Sequence, residues 1–365
     1  MTNTTHINTE THALAAYEQH GALKPFTFNR RQLRDKDVAV RILYAGVCHT
    51  DIHNIKNEAN RPFSYPLVPG HEIMGEVTAV GPAVTTVSVG DAVLIGVQVD
   101  SCRRCERCKE HLEVYCPEFG STYGTKDRID GTQNHGGFST MYVADEYFVF
   151  KMPNGMDASR VAPLMCAGAT VYSPLRQYGI GPGKTVGVLG IGGLGHLAVK
   201  YARAMGAHVV AFTTSPNKIE EIKKLGAHEV VLSKDAAQMQ ARVGTIDLMI
   251  DTVSSSYPVD PYMWTVKFDG VYCSVGAGAR LDVDPLVLML GRRKLTSSAG
   301  AGSDEIREML EFSAKHAVYP EVELIKPDYL NTALERLEKN DVRFRFVMDL
   351  RKGISPERQN GSRQL

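Results

Sequence analysis

The segment 48–72 brings together side chains that bind metals and transfer protons. Its thiol, hydroxyl, imidazoles and carboxylates belong to Cys48, Thr50, Asp51, His53, His71 and Glu72. Zinc is a borderline-soft ion that takes both sulfur and nitrogen ligands, so the combination of Cys48 and His71 favours zinc. These two residues are far enough apart in sequence to lie on different elements that converge. A catalytic zinc needs three protein ligands and one open position.

The third zinc ligand must come from far along the chain. Cys166, in the apolar run 163–168, is the best candidate. A single cysteine in an apolar setting is more often part of the core than a ligand. The presence of Cys48 and His71 reverses that preference, and we expect Cys166 to complete the site.

A second group of cysteines has the spacing C-x2-C-x2-C-x7-C, at Cys102, Cys105, Cys108 and Cys116. Four thiolates so close in sequence can form a tetrahedral zinc shell with no open position, which is typical of a structural site. An iron–sulfur cluster also uses four cysteines, but nothing else in the chain indicates electron transfer. We expect the flanking arginines, such as Arg103 and Arg104, to offset the thiolate charge. Cys273, outside both groups, is interpreted as core packing.

A glycine-rich run, Gly190-Ile191-Gly192-Gly193-Leu194-Gly195, follows a predicted buried strand at 184–189 and precedes a helical pattern at 196–205. Strand, glycine loop and helix in this order are the context in which a dinucleotide binds. Gly190 permits the tight turn, Gly192 lets the backbone approach a pyrophosphate, and Gly195 lets the helix and strand pack closely. The helix N-terminus favours the charge of the phosphates.

The end of the next predicted strand, 208–212, indicates which dinucleotide binds. NAD sites usually place an acidic residue about 20 residues after the glycine loop, where it binds the ribose hydroxyls. Here the chain continues with Thr213, Thr214, Ser215 and Lys218, with no carboxylate before Glu220. Hydroxyls and a lysine suit the 2′-phosphate of NADP instead. The alternative is a solvated helix start capped by Ser215.

The composition is that of an ordinary globular protein, and 365 residues suggest two domains at roughly 150 residues each. Basic and acidic residues balance at 41 each, so neither a nucleic-acid nor a membrane partner is expected. The start of the sequence lacks an apolar signal core, and no apolar run reaches the length of about 20 residues that spans a bilayer. We expect a cytoplasmic protein, where clustered cysteines bind metal rather than form disulfides.

The strand patterns divide the chain into two parts of an α/β protein. Short strands predicted at 38–43, 73–80 and 91–99 indicate an irregular, largely β first domain. Strands and helices alternate from about residue 161 to 300, which predicts a doubly wound parallel sheet. We expect a catalytic domain at 1–160, completed by 301–365, and a Rossmann coenzyme domain at 161–300. The polar residues 352–365 are expected to be frayed.

Several motifs follow one another along nearly the whole chain: Cys-His-Thr-Asp at 48–51, Pro-Gly-His-Glu at 69–72, the four-cysteine loop, Gly-Gly-Phe at 136–138, Leu-Met-Cys-Ala-Gly at 164–168, the glycine loop and a closing strand at 341–347. This combination resembles the zinc-dependent medium-chain alcohol dehydrogenases, and within them the cinnamyl-alcohol-dehydrogenase-like branch. The resemblance implies a GroES-like, mostly β catalytic domain with a Rossmann domain inserted before its last segment.

The resemblance also implies roles for individual residues. Cys48, His71 and Cys166 would hold the catalytic zinc, and the carboxylate of Glu72 can approach the metal. Asp51 would orient the ring of His71. Thr50 would contact the substrate oxygen, and His53 would lead protons to solvent.

For the coenzyme, the resemblance adds residues to those of the glycine loop and the strand end. The expected contacts are Thr170, Gly190, Gly192, Gly193, Leu194, Gly195, Thr213, Thr214, Ser215, Lys218, Val275 and Arg345. A homodimer formed through the sheet edge near 281–290 is also expected.

These roles predict an enzyme that transfers a hydride between NADP(H) and aldehydes or primary alcohols, mainly as an aldehyde reductase. The alternative is a polyol or secondary-alcohol dehydrogenase of the same superfamily. A binding protein that keeps the fold without activity would have broken catalytic ligands, whereas here they are all present.

Three positions that align with bulky pocket residues of the branch are small in this chain, at Ala59, Ser121 and the run 298–300. We therefore expect a wide pocket that accepts medium-length aliphatic and substituted aromatic aldehydes, with acetaldehyde a poor substrate. Neighbours such as Tyr123 or Phe63 could offset the lost volume.

Overall fold

The computed structural model describes residues 6–277 and 280–354, and the chain forms two compact units. Unit 1 comprises 1–108, 116–165 and 322–365, and unit 2 comprises 109–115 and 166–321. Residues 355–365, most of the tail that we expected to be frayed, lie outside the described residues. Within 6–277 and 280–354, no helix combines the length and the hydrophobicity needed to cross a membrane.

The elements that precede Cys166 are mostly strands. They are β1 (Glu10–Ala16), β2 (Leu23–Asn29), β3 (Asp37–Val47), α1 (His49–Ile55), β4 (Ile73–Val80), β5 (Ala92–Ile95), β6 (Gln98–Asp100), α2 (Glu106–Lys109), β7 (Gly120–Ser121), β8 (Met141–Asp145) and β9 (Phe150–Lys151), with 3-10 turns at Glu113–Tyr115, Glu146–Phe148 and Ala162–Met165.

Strands and helices alternate in the rest of the chain. They are α3 (Ala167–Gln177), β10 (Thr185–Leu189), α4 (Gly195–Ala204), β11 (His208–Thr213), α5 (Ile219–Lys224), β12 (Glu229–Leu232), α6 (Ala236–Gln240), β13 (Ile246–Asp251), α7 (Asp260–Met263), β14 (Val266–Ser274), α8 (Pro285–Met289), β15 (Lys294–Ser297), α9 (Ser303–His316), β16 (Val322–Ile325), α10 (Leu330–Glu338) and β17 (Arg345–Asp349), with 3-10 turns at Pro216–Lys218 and Pro327–Tyr329.

Unit 1 is built on a seven-stranded sheet with β3 near its centre. The order is β16-β17-β3-β4-β5-β9, and β8 also pairs with β3. Val38, Val40 and Ile42 alternate along β3 and enter the main core of the unit, while Ala39 packs on the other face with Leu33 and Val143. The alternation seen in the sequence therefore fixes the register of the strand that leads directly into Cys48.

The strand predicted at 91–99 is instead two strands, β5 and β6, separated at 96–97. A Cβ atom at Gly96 would lie 3.0 Å from the carbonyl oxygen of Met165. The backbone thus passes close to the residue before Cys166, and a side chain at position 96 would require its neighbours to shift by a few tenths of an ångström.

Unit 2 contains a six-stranded sheet in the order β12-β11-β10-β13-β14-β15, and every neighbouring pair is parallel. The predicted doubly wound sheet is therefore confirmed. The strand order reverses between β10 and β13, which is where such sheets bind ligands, beyond the carboxyl ends of the strands. Cys273 on β14 is 1% exposed, as expected for a core residue.

Candidate functional site

A buried cluster of potential metal ligands joins the residues predicted for the catalytic zinc. One ligand atom from each of Cys48, His71, Glu72 and Cys166 lies within 4.8 Å of the others. Cys48 precedes α1, and His71 and Glu72 directly precede β4. Cys166 is joined by a peptide bond to Met165, the end of a 3-10 turn in unit 1, so the chain itself delivers its thiol to the cluster.

The carboxylate of Asp51, on α1, holds the ligand-bearing segments together. Its Oδ2 accepts a hydrogen bond from the N–H of Cys48 at 3.1 Å, and its Oδ1 accepts one from the N–H of Gly70 at 3.0 Å. The Nδ1 of His71 lies 3.1 Å from the same Oδ1. Because a carboxylate only accepts, Nδ1 carries a proton, and Nε2 is the nitrogen left for a metal. The predicted orientation of His71 by Asp51 agrees with this geometry.

The cluster suits a cation. Among the described residues, His71 Nε2 and Glu72 Oε2 are buried side-chain atoms with no hydrogen-bond partner. Burial raises the pKa of Glu72 to about 7, although the charge of Arg345 opposes that rise. Burial alone would lower the pKa of His71, but Asp51 and Cys48 raise it well above its ordinary range. Thiolate, imidazole and carboxylate ligands that accumulate negative charge fit zinc.

Arg345, on β17, packs behind this cluster. Its guanidinium donates to Glu72 Oε1, and its Nη1 lies 4.0 Å from Cys48 Sγ. The side chain of Arg345 is 3% exposed. Its expected contact with the coenzyme stays a prediction, whereas its contact with Glu72 had no signal in the sequence.

Gly46, on β3, makes room for Glu72. A Cβ atom at this position would lie 2.0 Å from Glu72 Oε2. The Gly46 N–H also donates to the Glu72 carbonyl oxygen at 2.8 Å. Sequence analysis missed this glycine because it belongs to no turn motif.

The predicted proton path starts at α1. Thr50 is half-buried, and its Oγ1 lies 3.6 Å from Cys48 Sγ. His53 is one helical turn further along, and its Nδ1 pairs with the carboxylate of Glu58. Within the described residues Thr50 and His53 share no direct hydrogen bond, so their roles stay predictions.

The four-cysteine loop forms a second compact cluster. All four Sγ atoms lie within 4.8 Å of one another. The N–H groups of Cys105 and Glu118 donate to the sulfurs of Cys102 and Cys116 at 3.3 Å each. Backbone hydrogen bonds lower the pKa of Cys102 to about 6. Such hydrogen bonds favour thiolates, which are the form that binds zinc.

Two of the arginines that flank this loop pair with carboxylates. Arg103 pairs with Asp145 at 2.9 Å and lies over the ring of Tyr147, and Arg104 pairs with Glu118. Backbone N–H groups supply direct contacts to the sulfurs, and the expected charge offset by the flanking cations stays a prediction.

The glycine loop of unit 2 has the geometry that its sequence predicts. Gly190 has a φ of +80°, and a Cβ atom at Gly195 would lie 1.9 Å from the Gly190 carbonyl oxygen. Gly192 has open space where a Cβ atom would stand. Within the described part of the chain, the N–H groups of Gly192, Gly193 and Leu194 have no acceptor. They are available for phosphate oxygens at the start of α4.

Two residues that the sequence did not reveal hold this loop. The hydroxyl of Thr252, after β13, donates to the carbonyl oxygens of Gly190 and Leu189 at 2.6 and 3.1 Å. His196 is fully buried, and its Nδ1 lies 3.0 Å from the Gly192 carbonyl oxygen. Both residues act through contacts with the backbone, which no motif spacing records.

The residues expected to distinguish NADP from NAD lie at the end of β11 and just beyond it. Thr213 is buried and Thr214 is exposed. Ser215 precedes the 3-10 turn but makes no capping hydrogen bond with its side chain. Lys218 has no ion pair with any residue that the structure describes. Hydroxyls and a lysine without an ion pair among the described residues are therefore present here. The alternative, a helix start capped by Ser215, requires a side-chain hydrogen bond that Ser215 does not make.

The other expected coenzyme contacts are Thr170 and Val275. Thr170 is half-buried in the first turn of α3. Val275 follows β14, and its N–H donates to the Asp251 carbonyl oxygen at 2.8 Å. Both belong to unit 2 together with the glycine loop, and their role stays a prediction.

Comparisons with protein families match two parts of the chain. Residues 34–154 match the family described as alcohol dehydrogenase GroES-like domain, and residues 193–315 match zinc-binding dehydrogenase. The chain is 49% identical over 340 residues to a probable mannitol dehydrogenase of Fragaria ananassa. The aligned region covers 92% of this chain and 94% of the relative. The chain is 47% identical to cinnamyl alcohol dehydrogenase 2 of Rauvolfia serpentina over the same shares.

Solved structures give the same result. A cinnamyl alcohol dehydrogenase from Sorghum bicolor has a TM-score of 0.92 at 42% identity, over 95% of this chain and 99% of that one. A CAD from Helicobacter pylori complexed with NADP(H) has a TM-score of 0.88 at 35% identity, over 95% of this chain and 100% of that one.

Proposed function

The chain belongs to the zinc-binding alcohol dehydrogenases of the cinnamyl-alcohol-dehydrogenase type, and on that basis we propose that it reduces aldehydes with NADPH at a zinc bound by Cys48, His71 and Cys166. Membership confirms the predicted resemblance, the α/β fold class and the oxidoreductase class. The observation that carries the proposal is the buried cluster in which His71 Nε2 and Glu72 Oε2 have no hydrogen-bond partner among the described residues.

The side chains of unit 1 supply binding and proton transfer. Zinc, when bound, polarises the substrate oxygen as a Lewis acid. Thr50, beside Cys48, is the hydroxyl that would contact this oxygen. Because a hydride reaches carbon, the oxygen must gain a proton, and His53 is the imidazole that would lead one from solvent. Glu58 holds the ring of His53 through Nδ1.

Coenzyme binding is assigned to unit 2. The backbone N–H groups of the glycine loop would hold the pyrophosphate, and Lys218 with its neighbouring hydroxyls would hold the 2′-phosphate. Hydrogen bonds to charged groups contribute about 1.5–3 kcal/mol each, so one such contact gives roughly ten- to a hundredfold preference for NADPH.

The test is the ratio of kcat/KM for NADPH to that for NADH, with an aromatic aldehyde as substrate. The wild type should prefer NADPH, and Lys218→Ala should lose most of that preference while its activity with NADH is unchanged. Lys224→Ala, on α5 and exposed, removes the same charge from a position outside the proposed phosphate site. Equal efficiency with both coenzymes, or a Lys218→Ala variant that keeps the wild-type ratio, would contradict the proposal.

The substrate range that we propose rests on the small residues that the sequence comparison with the branch singles out. Ala59 and Ala299 are exposed, and Ser121 is half-buried. Tyr123 is 3% exposed, and its hydroxyl is bonded to Asp51. A short aldehyde leaves apolar wall uncovered and loses about 0.8 kcal/mol for each methylene that is not buried. Medium-length aliphatic and substituted aromatic aldehydes should therefore be better substrates than acetaldehyde.

An aldehyde series from two carbons upward, repeated with Ala299→Phe, tests the wide pocket. The variant should shift the optimum towards smaller aldehydes. Acetaldehyde as the best substrate, or an unaltered size profile in the variant, would contradict the wide-pocket proposal.

Polyol oxidation is the second candidate function, favoured by the name of the Fragaria relative. Efficient oxidation of mannitol, with poor reduction of aldehydes, would select that candidate.

A homodimer in the cytoplasm completes the proposal. Leu286, Met289 and Leu290, in and beside α8, are 48%, 73% and 64% exposed. The neighbouring strand β15 is an edge of the six-stranded sheet. Exposed apolar side chains beside an open strand edge are typical of an interface between copies. Sedimentation analysis should show two chains per particle, and Met289→Asp should shift the particle to one chain, whereas a monomeric wild type would refute it.

A further inference from the structure

A buried hydrogen-bonded chain extends behind the metal ligand His71. The Nδ2 of Asn54 donates to the hydroxyl oxygen of Tyr123 at 2.8 Å, and that hydroxyl donates to Asp51 Oδ1 at 2.9 Å. The same Oδ1 lies 3.1 Å from His71 Nδ1. Tyr123 lies far from α1 in sequence, and its ring packs 6.1 Å from that of His71, centroid to centroid.

The position of Asp51 Oδ1 is set by three donors from separate segments. The N–H of Gly70 and the Nδ1 of His71 come from the turn before β4, and the Tyr123 hydroxyl comes from the loop after β7. An oxygen held by fewer donors can turn about the bond between Cβ and the carboxyl carbon. The imidazole follows that movement, because its tautomer and its orientation depend on the acceptor at Nδ1.

The hydroxyl of Tyr123 is itself fixed. Asp51 and Asn54 are three residues apart on α1 and so lie on the same face of the helix. One offers an acceptor and the other a donor, so the hydroxyl has one arrangement that satisfies both. Its hydrogen therefore points to Asp51, and its oxygen accepts from Asn54.

We propose that Tyr123 is a positioning residue for the catalytic zinc, which holds the Asp51 carboxylate and through it the Nε2 lone pair of His71. The inference rests on the proposed zinc site of Cys48, His71 and Cys166. The hydroxyl of Tyr123 is hydrogen-bonded to Asp51 and Asn54, so its effect on the metal passes through Asp51. A tyrosine that only fills the core would affect stability and leave metal affinity unaltered.

The test is competition between the purified enzyme and a chelator for zinc, with the four-cysteine site as an internal reference. Tyr123→Phe keeps the ring and removes the hydroxyl. Outer contacts of metal-bound histidines are typically worth 10- to 100-fold in metal affinity or activity. We expect the catalytic zinc of Tyr123→Phe to bind at least about tenfold more weakly, with kcat reduced and KM for the aldehyde little changed. The zinc in the four-cysteine loop should be retained.

Tyr201→Phe is the matched control, because Tyr201 is fully buried and its hydroxyl bonds Ser313 in unit 2, at 2.7 Å. This variant should lose a comparable buried hydrogen bond without weakening the binding of either zinc ion. Asn54→Ala, which leaves the hydroxyl in place but removes its donor, should weaken the catalytic zinc in the same direction by a smaller factor. It also tests the inference if Tyr123→Phe does not fold.

The inference is overturned if the affinity for the catalytic zinc in Tyr123→Phe equals that in Tyr201→Phe. It is also overturned if the affinities of both sites fall together in Tyr123→Phe, because that result indicates general destabilisation. If Tyr123→Phe does not fold, an Asn54→Ala variant with wild-type zinc affinity overturns it. A wild type with one zinc per chain, or without aldehyde reduction, would instead refute the proposed function.

Discussion

Replacing Gly46 by alanine tests whether the space beside Glu72 is needed for the metal site. The added Cβ would lie 2.0 Å from Glu72 Oε2, whereas ordinary contact begins at about 3.4 Å, so the carboxylate must move by about 1.4 Å. Glu72 is fully buried, and its Oε1 accepts a hydrogen bond from the guanidinium of Arg345. If that movement separates Oε1 from Arg345, the loss of a buried ion-pair partner costs about 3–5 kcal/mol. If the backbone absorbs the shift instead, overpacking costs about 1–3 kcal/mol.

The assay has two readouts, zinc content per chain and the free energy of unfolding by denaturant. Wild type should hold two zinc ions, one in each cysteine-containing cluster. Gly46→Ala should hold about one, because the four-cysteine site is unaffected, and should be less stable by the amounts above. Gly181→Ala is the control, since the nearest atom to its added Cβ lies 3.8 Å away. A Gly46→Ala variant with two zinc ions and the stability of Gly181→Ala would refute the reasoning.

Three further predictions concern other parts of the chain. Cys102→Ser should lose the structural zinc and several kcal/mol of stability, since zinc binding there is folding energy; an unchanged unfolding midpoint would contradict it. His53→Gln should slow turnover, because it removes the imidazole expected to carry the proton, and unchanged turnover would show that another group carries it. Burial, assisted by the charge of Arg30, lowers the pKa of His135 to about 4, below its value of about 6.5 in the unfolded chain. The unfolded state therefore binds more protons between these values, and stability falls as the pH drops from 6.5 to 4. His135→Gln should flatten that fall when unfolding is measured against pH.

Much of the coenzyme unit could be predicted from local sequence. The Rossmann strands follow from short apolar runs separated by helical patterns, and the glycine loop from residues that sit side by side. The turn at Gly190 and the close approach at Gly195 both have the predicted geometry. The strand predicted at 91–99 was wrong as a single element, because it breaks at 96–97, where the backbone passes Met165, a residue distant in sequence.

The sequence by itself determined the ligand types, the two cysteine-containing clusters and the strand–helix alternation, because each depends on residue chemistry or on the spacing of near neighbours. Only the tertiary structure decided how the ligands are held. Glu72 meets Arg345, and Asp51 meets Tyr123, across long stretches of chain. Such pairs form because strand register and packing bring distant backbone segments together. No periodicity within either segment encodes its partner, so the contacts that orient His71 and Glu72 appear only once the whole of unit 1 is folded.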